Sequence, residues 1–187
     1  MPIIKYPMSI QPTSSLSFNS LVHTGFMPEA TNINRQIMED YVQLSKQDFL
    51  KRTHFFGGRY ENLYLQRARI PAISMVLEQA EKFASSILEY SASQLRSGFW
   101  INDMGANAVT TEHDHDEDDE LLSGVYYIQV PQNSGELIIV DQYSRTLIMP
   151  QAGQFIFFAP TVRHSVSRNN SGESRISMGM NFGPMAT

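Results

Sequence analysis

The chain contains no cysteine among its 187 residues. A disulfide framework and a thiolate metal site are therefore both excluded, and any metal would need histidine or carboxylate ligands. Long apolar runs are also missing, because no stretch reaches the roughly 18 apolar residues that a membrane helix needs. The N-terminal run MPIIKYPMSI has a proline at position 2 and is too short for a secretory signal. The sequence therefore predicts a soluble, cytoplasmic protein.

Positive charge is scarce as well. Lys and Arg together number 14 against 19 Asp and Glu, which gives a formal net charge of −5. This charge balance gives no indication of a nucleic-acid-binding surface. Much of the acidity is local, because residues 112–120 read EHDHDEDDE and contain seven carboxylates. Such a run is typical of a solvated loop, and its field would attract cationic substrates.

The N-terminal half carries two helical patterns. Residues 32–50 place apolar side chains on one helical face, and Thr31 or Asn32 is the expected cap. A second helix is predicted from Pro71 to about Ala92. The apolar face of the first helix consists of Ile33, Ile37, Tyr41 and Leu44. The second helix offers a surface through which a homodimer would form.

The remaining N-terminal segments are less regular. Residues 1–19 are expected to be extended, with a turn near Pro12. The Gly57-Gly58 pair predicts a turn between two short pieces of residues 53–69. No internal repeat or low-complexity linker is present, so the sequence predicts one domain over residues 1–187.

After Ser97 the pattern changes to short apolar runs separated by Gly, Pro, Asn and Ser. Seven strands are predicted, at 98–104, 121–130, 135–142, 146–150, 154–160, 164–169 and 175–182. This spacing favours an α+β fold with a mainly β core. We expect residues 98–187 to form a double-stranded β-helix, or jelly roll, with the helical and extended layer 1–97 packed on one sheet.

Three of the five histidines form an informative arrangement. His113 and His115 are an H-x-H pair, and His164 lies 49 residues beyond the second of them. Residues i and i+2 of a strand point to the same side, so the pair can converge on one ion. The third ligand would come from a distant strand if the sandwich brings its two sheets together. Iron(II) prefers imidazole and oxygen ligands. We expect His23 and His54 to be structural.

Arg175 follows His164 by eleven residues and shares a strand face with Ser177. An arginine buried on an apolar sheet needs an anionic partner. A dicarboxylate such as 2-oxoglutarate would provide that partner through bidentate pairing.

The order of motifs is more specific than the spacing. WIN, H-x-H, SGVYYIQV, a Phe-rich run QFIFFAP, HSV, N-x-S, RIS and NF follow one another over residues 98–183. This set resembles the iron(II)/2-oxoglutarate oxygenases of bacteria and tailed phages, which are distant relatives of prolyl hydroxylases. The resemblance covers nearly half of the chain.

The resemblance implies a role for each matching residue. The iron ligands would be His113, His115 and His164. Arg175, helped by Ser177, would bind the C5 carboxylate of 2-oxoglutarate, and Tyr127 matches a position that hydrogen-bonds the same group. Asn181 shares the face of Arg175 and would line the pocket. The implied enzyme consumes 2-oxoglutarate and O2, hydroxylates a small-molecule or peptidyl substrate, and releases succinate and CO2.

The acidic stretch after the histidine pair is longer than the family pattern. This leaves a second choice of ligands, in which His115 comes first and Glu117 completes an H-x-E pair in place of His113. His115 and His164 belong to both sets.

Two other functions fit the same residues. One is a three-histidine, cupin-type iron dioxygenase that uses no 2-oxoglutarate. The other is a non-catalytic jelly-roll protein with a binding or structural role. Arg175 separates the 2-oxoglutarate enzyme from the three-histidine dioxygenase, because only the former needs a cation for the C5 carboxylate. The non-catalytic protein would hold no iron and would not turn over 2-oxoglutarate.

Overall fold

Two antiparallel sheets, one of seven strands and one of four, form the body of the protein. The computed structural model describes residues 22–115, 119–141 and 144–185. The helices are α1 (Ala30–Tyr41) and α2 (Pro71–Leu88). The strands are β1 (His23–Phe26), β2 (Phe49–Phe56), β3 (Arg59–Leu65), β4 (Leu95–Met104), β5 (Thr110–His113), β6 (Leu122–Gln129), β7 (Leu137–Val140), β8 (Arg145–Ile148), β9 (Gln154–Phe158), β10 (Arg163–Val166) and β11 (Arg175–Pro184).

The larger sheet has the order β1-β9-β6-β11-β4-β3-β2, and the smaller sheet has the order β5-β10-β7-β8. Side chains from both sheets meet in a buried cluster between them, formed by Tyr127, Leu137, Ile139, Ile156 and Phe158. This arrangement is the predicted double-stranded β-helix, and each of the seven predicted strands is present. Four further described strands, β1, β2, β3 and β5, were not predicted. Two of them, β1 and β5, are short segments of four residues without a clear alternation of apolar and polar side chains.

Both helices pack on the outer face of the larger sheet, as predicted. Ile33 and Ile37 of α1, and Ile73 and Leu77 of α2, are almost completely buried in the main core. The opposite wall of that core is provided by alternate residues of β11, such as Met178. Burial of these side chains holds the sheet rigid behind the cleft, at roughly 25 cal/mol per Å² of apolar surface.

The first helix is shorter than predicted, because it ends at Tyr41 instead of continuing to Leu50. The side chain of Ser45 accepts a hydrogen bond from the backbone N–H of Gln47 and begins a 3-10 turn, after which the chain extends into β2. A serine that bonds its own backbone in this way competes with helix continuation. The predicted cap was also wrong, since Glu29, in a left-handed conformation, precedes the first turn.

The Gly57-Gly58 turn is confirmed, and it joins β2 and β3 into a hairpin. Both glycines have positive φ, which glycine adopts without steric cost. β3 pairs with β4, so this hairpin extends the larger sheet with residues from the N-terminal half. Helix α2 begins at Pro71 as predicted and ends at Leu88, slightly before the predicted end. Residues 1–19, expected to be extended, lie outside the described residues.

Among the described helices, none combines the length and the apolar character needed to cross a bilayer. The assignment of residues 1–187 to a single domain stays a prediction.

Candidate metal centre

His113 and His164 are direct cross-strand neighbours on β5 and β10. We expected the third histidine to approach from the opposite sheet, and this was wrong. Both strands belong to the smaller sheet, where the antiparallel register places the two residues opposite each other. Residues in this position lie within about 4.5–5.5 Å at Cβ, so adjacent strands bring the two imidazoles together without help from the second sheet.

His115 lies just beyond the end of β5, and its backbone N–H donates to the carbonyl of Pro160 at 2.9 Å. This bond fixes the segment after the strand, so that the third imidazole turns toward the other two. The ring centroids of His115 and His113 are 5.2 Å apart, and those of His115 and His164 are also 5.2 Å apart. One ring nitrogen from each of the three histidines lies within 4.8 Å of the others.

The backbone sets the tautomer of two of these rings. Nδ1 of His113 lies 2.8 Å from the carbonyl oxygen of Thr111, and Nδ1 of His164 lies 3.0 Å from that of Val162. A carbonyl oxygen only accepts, so Nδ1 carries the proton in both rings. The lone pair of each neutral ring is then on Nε2, the atom available to a metal.

The environment keeps the imidazoles of His115 and His164 uncharged. Burial, together with the neighbouring His113, lowers the pKa of His164 to about 3. Burial and His113 likewise lower the pKa of His115 to about 4. Neutral imidazole is the form that binds a metal ion, so the donor set suits one.

Three imidazole nitrogens around one point fit a divalent metal of the first transition row. Metal–nitrogen bonds of about 2.0–2.1 Å are typical for such ions, and small side-chain movements would bring three nitrogens of this spacing onto one ion. Three protein ligands leave positions open for other ligands. The alternative carboxylate ligand, Glu117, lies outside the described residues.

Arg175 begins β11 on the larger sheet and is 2% exposed. Its Nη1 donates to the carbonyl of Gly135 at 3.2 Å, while its buried Nε has no hydrogen-bond partner. Within the described part of the chain, no carboxylate lies at ion-pair distance from this guanidinium. Burial lowers its pKa, but arginine keeps its charge in proteins. A buried cation without a counter-ion is costly unless a ligand supplies one.

Tyr127 and Ser177 lie opposite each other on β6 and β11, on the inner side next to Arg175. The Tyr127 ring centroid is 5.7 Å from the guanidinium carbon of Arg175, and burial raises the pKa of Tyr127 to about 12. The adjacent Tyr126 points to the opposite face, where its hydroxyl donates to Asn34 Oδ1 at 2.6 Å. Strand alternation thus gives one tyrosine to the cleft and the other to the helical core.

One cleft of about 410 Å³ contains every residue predicted for the site. The three histidines line it together with Arg175, Ser177, Tyr127 and Asn181. The structure therefore brings the seven together. His113 and His164 lie on the smaller sheet, His115 follows the end of β5, and the other four side chains lie on the larger sheet. His23 lies on β1, outside this cleft, whereas His54 on the β2–β3 hairpin lines its mouth.

The lining residues that were not predicted from the sequence include Asn62, Tyr64, Trp100 and Asn102. Two of them belong to the WIN motif, which was noted without a role. The other two are on β3, whose strand character the sequence did not predict. A period-two alternation of Tyr60, Asn62 and Tyr64 was the available signal.

No protein-family model and no curated protein sequence matches this chain. Solved structures, by contrast, are similar to it. A Pseudomonas putida prolyl-4-hydroxylase is similar over 89% of this chain and 94% of its own, with a TM-score of 0.70 and 16% identity. A Trichoplax adhaerens prolyl hydroxylase, solved with a hypoxia inducible factor peptide fragment, covers 89% and 84%, with a TM-score of 0.69 and 10% identity. A viral collagen prolyl hydroxylase from Paramecium Bursaria Chlorella virus-1, in a 2OG complex, covers 92% and 100%, with a TM-score of 0.60 and 13% identity. The chain therefore has the double-stranded β-helix fold of these enzymes.

Proposed function

We propose that the protein is a non-haem iron(II) dioxygenase that uses 2-oxoglutarate and O2 to hydroxylate a C–H bond. The observation that carries the proposal is Arg175, a buried cation without a carboxylate partner among the described residues, in the same cleft as three convergent imidazoles. A dicarboxylate co-substrate satisfies both features, because one end reaches the metal and the other reaches the guanidinium.

The similar structures support the choice of iron and co-substrate. They include prolyl hydroxylases, a 2OG-Fe(II) oxygenase from Burkholderia pseudomallei, and a 2OG complex of the viral enzyme. One of them was solved with a peptide. The proposed substrate is therefore either a peptidyl group or a small molecule.

The reaction balances without a further reductant. The substrate C–H bond becomes C–OH, 2-oxoglutarate loses its carboxyl carbon as CO2 and becomes succinate, and one oxygen atom of O2 enters each product. When bound, the iron ion supplies the redox chemistry that activates O2.

The protein's own residues position the reactants. Arg175 binds the far carboxylate of 2-oxoglutarate, and the Tyr127 and Ser177 hydroxyls donate to the same group. Their geometry is fixed by the pairing of β6 with β11, so the co-substrate enters a site that needs little reorganisation.

The Nδ1–H bonds of His113 and His164 hold the imidazoles with Nε2 directed at the metal. Leu137, Phe158 and Val166 form an apolar wall that excludes water.

Anaerobic titration with Fe(II) and 2-oxoglutarate tests the proposal. We expect the weak visible charge-transfer band of the chelate, and decarboxylation of 2-oxoglutarate once O2 is admitted. Arg175→Ala should weaken 2-oxoglutarate binding by about 2–5 kcal/mol, the usual effect of truncating one partner of a buried charge pair. Arg168→Ala is the matched control, because this arginine is exposed and donates only to the carbonyl of Asn107.

The same titration separates the other functions. Iron binding without any 2-oxoglutarate binding would point to a three-histidine dioxygenase that does not use this co-substrate. Unchanged 2-oxoglutarate affinity in Arg175→Ala would show that Arg175 is not the partner of its carboxylate. A folded protein that binds neither iron nor 2-oxoglutarate would be a non-catalytic jelly roll.

A further inference from the structure

The lining of the cleft includes side chains that are assigned neither to the metal nor to 2-oxoglutarate, and the largest of them is Trp100, the only tryptophan in the sequence. Trp100 on β4 lies opposite Gly179 on β11. A Cβ added at position 179 would lie 2.4 Å from the indole Cε2 and 2.6 Å from Nε1. The indole ring therefore occupies the space that a side chain at position 179 would need. Its ring centroid is 5.8 Å from that of His115, so a group stacked on the indole lies beside the metal triad.

Amide groups around the indole provide hydrogen-bond donors. Asn102 Oδ1 accepts from Arg59 Nη1 at 3.4 Å, and Asn181 Oδ1 accepts from the Ser123 hydroxyl at 3.0 Å. Both contacts occupy the amide oxygen. The two Nδ2 groups therefore remain as donors that the described residues do not engage, and both side chains line the cleft.

A third amide provides an acceptor. Asn62 Nδ2 donates to His54 Nδ1 at 3.1 Å, which directs the amide nitrogen to the hairpin and leaves Oδ1 unpaired among the described residues. Tyr64 on the same strand packs toward Trp100, with ring centroids 6.1 Å apart, and extends the aromatic wall. The wall therefore combines a flat apolar surface with both donors and an acceptor.

The carboxylates that line the cleft already have partners. Glu61 pairs with Arg59 at 3.0 Å, and Glu120 lies 3.9 Å from Arg96. Asp114 also has an interaction partner. A cationic ligand would compete with these partners. A phosphate group would meet carboxylates and no cation in the described lining, apart from the arginine assigned to 2-oxoglutarate. The site thus favours an uncharged ligand.

We propose that the part of the cleft around Trp100 binds a neutral planar heterocycle of the nucleobase class, which stacks on Trp100 and forms hydrogen bonds through its polar edge with the three amides. Every nucleobase offers a π face together with donors and acceptors at its rim. The inference rests on the proposed function, because the ring, or a methyl group on it, is then the C–H donor that becomes C–OH. A cleft of about 410 Å³ lies within the range of small-molecule sites.

The fluorescence of Trp100 provides a direct measure of ligand binding. The full-length protein with Fe(II) and 2-oxoglutarate is titrated anaerobically with thymidine, cytidine, adenosine and guanosine. Choline serves as the cation probe and N-acetylprolinamide as the peptide probe. We expect saturable quenching of the single-tryptophan fluorescence by at least one nucleoside and none by the other two probes. The proposal would be overturned if choline or N-acetylprolinamide quenched the fluorescence and no nucleoside did.

Substitutions test where the ligand ring binds. Equilibrium dialysis measures the affinity of each variant for the same nucleoside. Trp100→Ala and Gly179→Ala should each weaken binding on the order of tenfold, because one removes the stacking surface and the other displaces it. Trp100→Phe keeps a smaller surface and should lose less. Phe55→Ala, which removes an exposed hairpin aromatic outside the cleft, should change nothing. Equal affinity in all four variants would refute the stacking role.

The absorption band of the iron–2-oxoglutarate chelate distinguishes two kinds of failure. If the band forms and no nucleoside binds, the ring assignment is wrong and the dioxygenase proposal survives. If the band is absent in the folded wild-type protein, both proposals fall together.

Discussion

His113 and His164 face each other across β5 and β10 with ring centroids 4.3 Å apart, and each is tethered through Nδ1 to the carbonyl of the residue two positions before it. The same local bond thus appears on both strands. It leaves Nε2 of both rings directed into the cleft, so the metal site is largely organised before any ion binds.

A divalent metal should therefore stabilise the folded protein. Anaerobic Fe(II), or Mn(II) as a redox-stable substitute, at 100 times its Kd should add about 2.7 kcal/mol to the free energy of unfolding. Thermal unfolding with and without metal measures this, and a chelator should reverse it. His164→Ala should abolish the shift. His23→Ala, which changes a histidine on β1 outside the cleft, should retain it.

The choice between His113 and Glu117 as the remaining ligand is decided by a pair of substitutions. If the three histidines are the ligands, His113→Ala should reduce the bound iron to a small fraction of one equivalent, and Glu117→Gln should leave it near one equivalent. Metal analysis after gel filtration gives both values. The reverse pattern would assign the site to the H-x-E pair.

Adjacent tyrosines provide a matched test of the co-substrate site. Tyr127→Phe removes a hydroxyl beside Arg175 and should weaken 2-oxoglutarate binding on the order of tenfold, as expected for a hydrogen bond to a charged group. Tyr126→Phe removes the bond to Asn34 on the opposite face. It should cost about 1 kcal/mol of stability and leave 2-oxoglutarate affinity unchanged. Calorimetric titration and urea unfolding measure the two effects, and equal losses of affinity would contradict the assignment.

Asn169 should be essential for stability. It is completely buried, its Nδ2 donates to the carbonyls of Met104 and Glu173 at 2.7 and 2.8 Å, and its Oδ1 accepts from Ser171. Asn169→Ala leaves these buried groups unpaired, at roughly 1–3 kcal/mol for each group. Urea unfolding at constant m-value should show the loss.

The neighbouring Asn170 is the control for that measurement. Its side chain is exposed, and only its backbone N–H bonds to the carbonyl of Asn133. Asn170→Ala should therefore change stability by no more than about 0.5 kcal/mol. A similar loss in both variants would mean that the Asn169 network is not the cause.

Part of the fold was predictable because local patterns encode it. Pro71 followed by apolar residues at helical spacing predicted α2, and the Gly57-Gly58 pair predicted a turn. The end of α1 was predicted wrongly, since the capping interaction of Ser45 outweighs an apolar periodicity that continues to Leu44. The β2 and β3 strands were missed because β2 is largely exposed and lacks an apolar face.

For the site, the sequence by itself determined the chemical types. The absence of cysteine left histidine and carboxylate as metal donors, and the spacing of His113, His115, His164 and Arg175 named the candidates. Tertiary structure decided which of them meet and how. The pairing of β5 with β10 placed His113 opposite His164 within one sheet, where we had expected two sheets to contribute. The pairing of β4 with β11 placed Trp100 over Gly179. Strand register depends on contacts between residues far apart in the chain, and a single sequence carries no direct record of those contacts.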